Sequence, residues 1–80
     1  MIMIDVMIPA LDRILDFEID PGVAVKELEE RIVRLTEEKE EVTFDPGSKM
    51  LFFMRTGDFL QPGLSMTEQG VGNGDRLILV

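Results

Sequence analysis

The sequence contains no Cys, no His, no Trp and no Tyr. Without Cys there is no disulfide framework and no thiolate chemistry, which is compatible with a reducing compartment. Without His or Cys the usual zinc, copper and haem ligands are missing. The Ser–His–Asp and Cys–His arrangements lack their base. Positive charge is also scarce. Eight Lys and Arg face sixteen Asp and Glu in 80 residues, a formal net charge of −8. Such a chain is repelled by a phosphate backbone, so a nucleic-acid partner is not expected. An enzyme is not expected either, and no catalytic residue, metal ligand or cofactor is assigned.

Long apolar runs are absent too. Met1-Ile2-Met3-Ile4 is broken by Asp5, with no basic flank or small-residue cleavage site. No uncharged stretch approaches the roughly 20 residues of a membrane helix. The chain is therefore expected to be soluble and cytoplasmic, without membrane insertion. Hydrophobic residues nonetheless make up 45%, too many and too regularly placed for a disordered acidic tail. The length allows one domain, residues 1–80.

The first segment alternates. Ile2, Ile4, Val6 and Ile8 share one strand face, and Met1, Met3, Asp5 and Met7 the other. Pro9 ends the strand because it has no N–H for a ladder. Alternation resumes at Arg13, with Leu15, Phe17 and Ile19 opposite Asp16, Glu18 and Asp20. The two runs read as an antiparallel hairpin turning through Pro9-Ala10-Leu11-Asp12.

After the turn signal Asp20-Pro21-Gly22, the period becomes helical. Val25, Leu28, Ile32 and Leu35 form an apolar stripe. Glu27/Arg31 and Glu30/Arg34 are i,i+4 pairs in the favourable order. Ala24 stands where a Ser or Thr cap would help. Thr36 to Glu41 contains no apolar residue and reads as a solvated, fraying helix end. Then come a turn at Asp45-Pro46-Gly47-Ser48, a strand from Met50 to Arg55, a tight turn at Thr56-Gly57-Asp58 and a short strand at Phe59-Leu60. A Gly-rich stretch leads through Asn73-Gly74-Asp75 into a last strand, Arg76 to Val80.

Strand, strand, helix, strand, short strand, strand is the order of a β-grasp: α+β, one helix across a mixed sheet of four to five strands. The sequence resembles the ubiquitin-like family in particular. The resemblance is carried by the helix Ala24–Ile32, by Gly57-Asp58-Phe59-Leu60 after the third strand, and by Leu64 to Leu77 with its hydroxyl residue Ser65 and its Gly-Asp-Arg-Leu approach to the last strand. Among such proteins it looks like the small YukD/EsaB-type accessory proteins of type VII secretion. That resemblance implies a non-enzymatic cytoplasmic partner of the secretion apparatus. Ubiquitin-like modifiers and sulfur carriers use a C-terminal diglycine, whereas this sequence runs to Leu79-Val80. A non-conjugated protein-binding module is the expectation. The alternatives are a modifier or sulfur carrier whose diglycine lies beyond these residues, or an adaptor in another pathway.

Two motifs invite a ligand and carry none. Asp16, Glu18 and Asp20 repeat every other residue, but an EF-hand loop would need glycine where Pro21 stands. Gly70-Val71-Gly72-Asn73-Gly74 lacks a Lys and leads into a strand, whereas phosphate loops open a helix. What remains is apolar surface. If Leu51, Phe53, Leu77 and Leu79 face the helix, then Phe52, Met54, Ile78 and Val80 face away. These four are expected to form the centre of a protein-binding patch with Arg55 and Arg76 as its polar rim. Homodimerisation through the same face, or cover by the loop Pro9 to Leu11, are the competing readings.

Overall fold

Ile2–Ile8 forms strand β1 and Arg13–Ile19 forms strand β2, in a computed structural model that describes residues 1–80. Between them Pro9–Leu11 makes a single 3-10 turn. Proline pre-sets its φ, and Asp12 closes the turn in the left-handed region at φ 52°, its N–H donating to the Pro9 carbonyl at 3.2 Å. Leu11 packs against the core, so this loop turns inward and does not cover the outer face of the sheet.

Helix α1 spans Val25–Glu40 and has no side-chain cap at Ala24. Its first free donors are met from elsewhere. Val25 N–H donates to the Leu64 carbonyl at 2.8 Å, and Lys26 N–H to the Pro62 carbonyl at 2.9 Å. A distant loop therefore does the work that a Ser or Thr would do locally. The helix does not fray where its charged end suggested. Thr36 is fully buried, Glu37 Oε2 accepts the Phe44 N–H at 2.8 Å, and Arg13 meets Glu40 at 3.4 Å. The buried stripe is Val25, Leu28, Ile32 and Thr36, while Leu35 is 50% exposed. At about 100° per residue, Leu35 lies about 80° to one side of Val25 and Thr36 only about 20° to the other. Of the two predicted ion pairs, Arg31 closes on Glu27 at 3.0 Å. Glu30 and Arg34 do not meet.

Leu51–Phe53 is β3, Asp58–Phe59 is β4 and Arg76–Leu79 is β5. The sheet order is β2-β1-β5-β3-β4, with β1 and β5 parallel and the other neighbours antiparallel. One helix lies on this five-stranded mixed sheet, the β-grasp arrangement. Inward residues of β1, β3 and β5 (Ile4, Val6, Ile8, Leu51, Phe53, Leu77 and Leu79) meet Val25, Leu28 and Ile32 of α1. Strand β3 is shorter than expected. Gly57, at φ 76°, donates its N–H to the Phe53 carbonyl at 2.9 Å, so the chain leaves the ladder at Phe53. Met54 and Arg55 consequently lie in the turn and not on the strand, and Leu60 follows β4 as a buried core residue.

The segment before β5 is held by two side-chain locks. Ser65 and Glu68 exchange hydrogen bonds, Ser65 N–H to Glu68 Oε1 at 3.0 Å and Glu68 N–H to Ser65 Oγ at 3.1 Å. This reciprocal box starts the 3-10 turn Thr67–Gln69. Asp75 accepts Gly72 N–H at 2.7 Å and both Arg55 donors, Nε at 3.2 Å and Nη2 at 3.1 Å.

Candidate protein-binding face of the sheet

Register decides what the open face of the sheet presents. Ile14 stands opposite Met7, Met7 opposite Ile78, Ile78 opposite Phe52 and Phe52 opposite Phe59. One apolar row therefore crosses all five strands on the face away from α1. A sheet with one covered face normally alternates hydrophobic-in and polar-out. This row breaks that rule on every strand. Its centre, Met7, Ile78 and Phe52, is half-buried by its own neighbours, while Ile14 and Phe59 at its ends are each 50% exposed. Phe52 and Phe59 meet edge to face, centroids 5.2 Å apart and planes at 78°, the geometry that the ring quadrupoles favour.

Val80 and Met50 extend the row on one side. Their backbones exchange hydrogen bonds of 2.9 and 2.7 Å, and both side chains are exposed. On the other side runs a charged row, Asp16, Asp5 and Arg76, in register across β2, β1 and β5. Arg76 Nη2 lies 3.4 Å from Asp5 Oδ2. The two carboxyls are neighbours, and a proton held between them lowers the Asp5 pKa and raises that of Asp16. Arg76 adds to the lowering of Asp5.

The residues singled out from the sequence fall into three groups. Phe52 and Ile78 are register partners at the middle of the row, and Val80 flanks them beside Met50. Met54, 47% exposed, lies outside the ladder and lines a shallow depression with Asp5 and Arg76. Arg55 is paired although its side chain is 59% exposed. Its guanidinium grips Asp75, donates to the Gly70 carbonyl and lies 4.9 Å over the Phe53 ring. The hydrogen bonds to Asp75 raise the Arg55 pKa, and those from Arg55 and then Gly72 N–H lower that of Asp75. Sequence reasoning missed Met7, Ile14, Met50 and Phe59. A signal existed for Ile14, an apolar residue on the strand face otherwise carrying Asp16 and Glu18.

The two motifs set aside earlier have structural employment. Asp16 pairs with Asp5, and Asp20 Oδ1 accepts Gly22 N–H at 2.9 Å in an Asx turn. In the glycine loop, Asn73 Oδ1 accepts Met3 N–H at 2.8 Å and Gly74 N–H donates to the Met3 carbonyl at 2.7 Å, which aligns β5 beside β1. No helix is long and apolar enough to cross a membrane.

No family model matches the sequence, and no curated protein matches it. Solved structures do match. The ubiquitin-like domain of EccD5 from Mycobacterium xenopi gives a TM-score of 0.79 at 23% identity, covering 99% of this chain and 91% of that one. The UBL domain of Plasmodium falciparum Dsk2 gives 0.76 at 22% identity, covering 99% and 95%. The fold is a ubiquitin-like β-grasp. With 320 chains matching, the likeness defines a fold that hosts many functions and leaves the function to the site.

Proposed function

We propose that this ubiquitin-like domain is a non-enzymatic docking module that acts by binding alone and takes a protein partner on the open face of its sheet. The observation that carries the reading is the apolar row Ile14, Met7, Ile78, Phe52 and Phe59, widened by Val80 and Met50. Contiguous exposed apolar surface marks an interaction site. Met and Phe suit that role, the first adapting its shape and the second supplying rigid contact area. Phe52 and Ile78 form the centre, with Arg76 and its Asp5 partner on the polar rim. Arg55 supports the fold beside the patch.

For the pathway, the sequence resemblance to YukD/EsaB-type proteins and the fold likeness to an EccD5 domain both favour a cytoplasmic accessory role in type VII secretion. A second copy of the chain is the competing occupant, since a two-fold pairing would bury the same row on both sides. The test is affinity capture of the tagged chain from its native cell, eluted first gently and then under denaturing conditions. A secretion-apparatus component released by denaturation supports the reading. Heavier adducts that survive denaturation would overturn binding alone, and recovery of untagged copies of the chain itself would replace the partner with a homodimer.

A further inference from the structure

Methionine is distributed unevenly over the molecule. The chain has six Met and no Cys, Trp or Tyr, so the thioethers are its readily oxidised groups. None stands between Met7 and Met50, a stretch that includes all of β2 and α1. Met3 and Met7 alternate with the buried Ile4, Val6 and Ile8 of β1 and so point to the open face of the sheet. Met50 flanks the apolar row beside Val80, and Met54 borders the same face with Asp5 and Arg76. Met3, Met50 and Met54 are 42%, 44% and 47% exposed, and Met7 is half-buried. Met66 is the contrast, fully buried in the core.

A thioether reacts with hydrogen peroxide by attack of a sulfur lone pair on one oxygen. The S–O bond forms and the O–O bond breaks. The departing hydroxide takes the proton of the transferred oxygen and leaves as water, so sulfur is oxidised by two electrons and the peroxide reduced. The product is a sulfoxide, polar where the thioether was apolar, and a thiol-dependent reductase reverses it, two thiols becoming a disulfide as the oxygen leaves as water. This chemistry divides the molecule. Sulfoxides at exposed positions are solvated and leave the core intact, while Met66 is closed to solvent as long as the fold stands. A sulfoxide at Met7 would sit between Ile14 and Ile78, under the apolar surface of a docked partner. A polar oxygen buried there without a donor opposes docking.

We propose that oxidation of Met7 and Met50 by a peroxide releases the partner from the open sheet face, and that a thiol-dependent sulfoxide reductase restores binding. This redox switch rests on the docking function proposed above. Adaptable contact alone would also place methionine on such a face. Leucine separates the two roles, because it keeps the apolar volume and cannot be oxidised in this way.

In the test, the full tagged chain is treated with hydrogen peroxide, freed of it, and compared with untreated chain in quantitative capture from the native cell. Mass spectrometry locates each sulfoxide and circular dichroism checks the fold. Met50 and Met54 should convert before Met7, and Met66 should stay reduced in a folded chain. The component that denaturation releases from the untreated chain should fall about tenfold, as for one unmatched polar group buried in an interface. Sulfoxide reductase with a thiol should restore it. The double variant Met7→Leu with Met50→Leu should capture as the wild type does, both before and after peroxide. Undiminished capture by the oxidised wild type would overturn the proposal, as would equal loss in the double variant. So would unfolding on oxidation, failure of Met7 and Met50 to convert, or a folded double variant that captures nothing before treatment. An untreated wild-type chain that captures nothing would instead sink the docking function itself, and the switch with it.

Discussion

Thr36 is fully buried on the inner side of α1, and its Oγ1 has no hydrogen-bond partner. Thr36→Val replaces that hydroxyl by a methyl of nearly the same shape, at a position where the two residues have nearly equal helix propensity. What changes is the desolvated polar group, and leaving one unmatched costs about 1–3 kcal/mol. Thr36→Val should therefore stabilise the fold by about 1–3 kcal/mol. Each kcal/mol raises Tm by about 4–8 °C in a domain of this size. Urea denaturation should show the midpoint rising by roughly 1 M, with m for small domains near 1–3 kcal/mol/M and unchanged by the substitution. Far-UV circular dichroism is the assay, because the chain has no Trp or Tyr to report by fluorescence. An unchanged or lower midpoint would refute the reasoning, because it would mean the hydroxyl is satisfied, most simply by the carbonyl one turn back.

Further outcomes follow from the charged groups. Asp75 and Glu68 have folded pKa values below the ordinary carboxylate value, so their contributions are present above the unfolded pKa and lost as pH falls through the folded one. Asp75→Asn should lower Tm at neutral pH and lose less stability on acidification, read by melts across an acid series. Asp16 has the opposite sign. Its folded pKa is raised, so its contribution is present at low pH and lost as pH rises through that value. Asp16→Asn should therefore raise Tm at pH 7 and cease to do so in acid, with the gain shrinking in high salt. Arg55→Lys keeps the charge and loses the fork that grips Asp75. It should lower Tm while leaving partner capture intact, and lost capture in a folded Arg55→Lys would return Arg55 to the binding rim.

Much of the fold is written in local pattern. Two alternating runs around Pro9 specify the hairpin, and Val25, Leu28 and Ile32 specify the helix face. The approach through Asn73-Gly74-Asp75 specifies where β5 begins. These signals are legible because each depends on residues near one another in the chain. The missing cap at Ala24 was not legible, since its replacements, the Pro62 and Leu64 carbonyls, come from a distant loop. Thr36 displaced Leu35 from the buried stripe because helical phase outranked hydrophobicity. The apolar sheet face was half legible. Phe52 and Ile78 follow from alternation within their strands, but Ile14, Met7 and Phe59 join them only through pairing register. Arg55 reads from the sequence as part of the polar rim, and its pairing with Asp75, twenty residues away, is visible only in the fold.

The central claim is that the open sheet face takes the partner. Ile14 and Leu35 make a matched pair for testing it, each 50% exposed, the first on the sheet face and the second on the helix. The decisive measurement is quantitative capture from the native cell by the wild-type chain, Ile14→Asp and Leu35→Asp, each first checked for an intact fold by circular dichroism. The account predicts that Ile14→Asp loses the partner released by denaturation and that Leu35→Asp retains it. Retention by Ile14→Asp with loss by Leu35→Asp would contradict it.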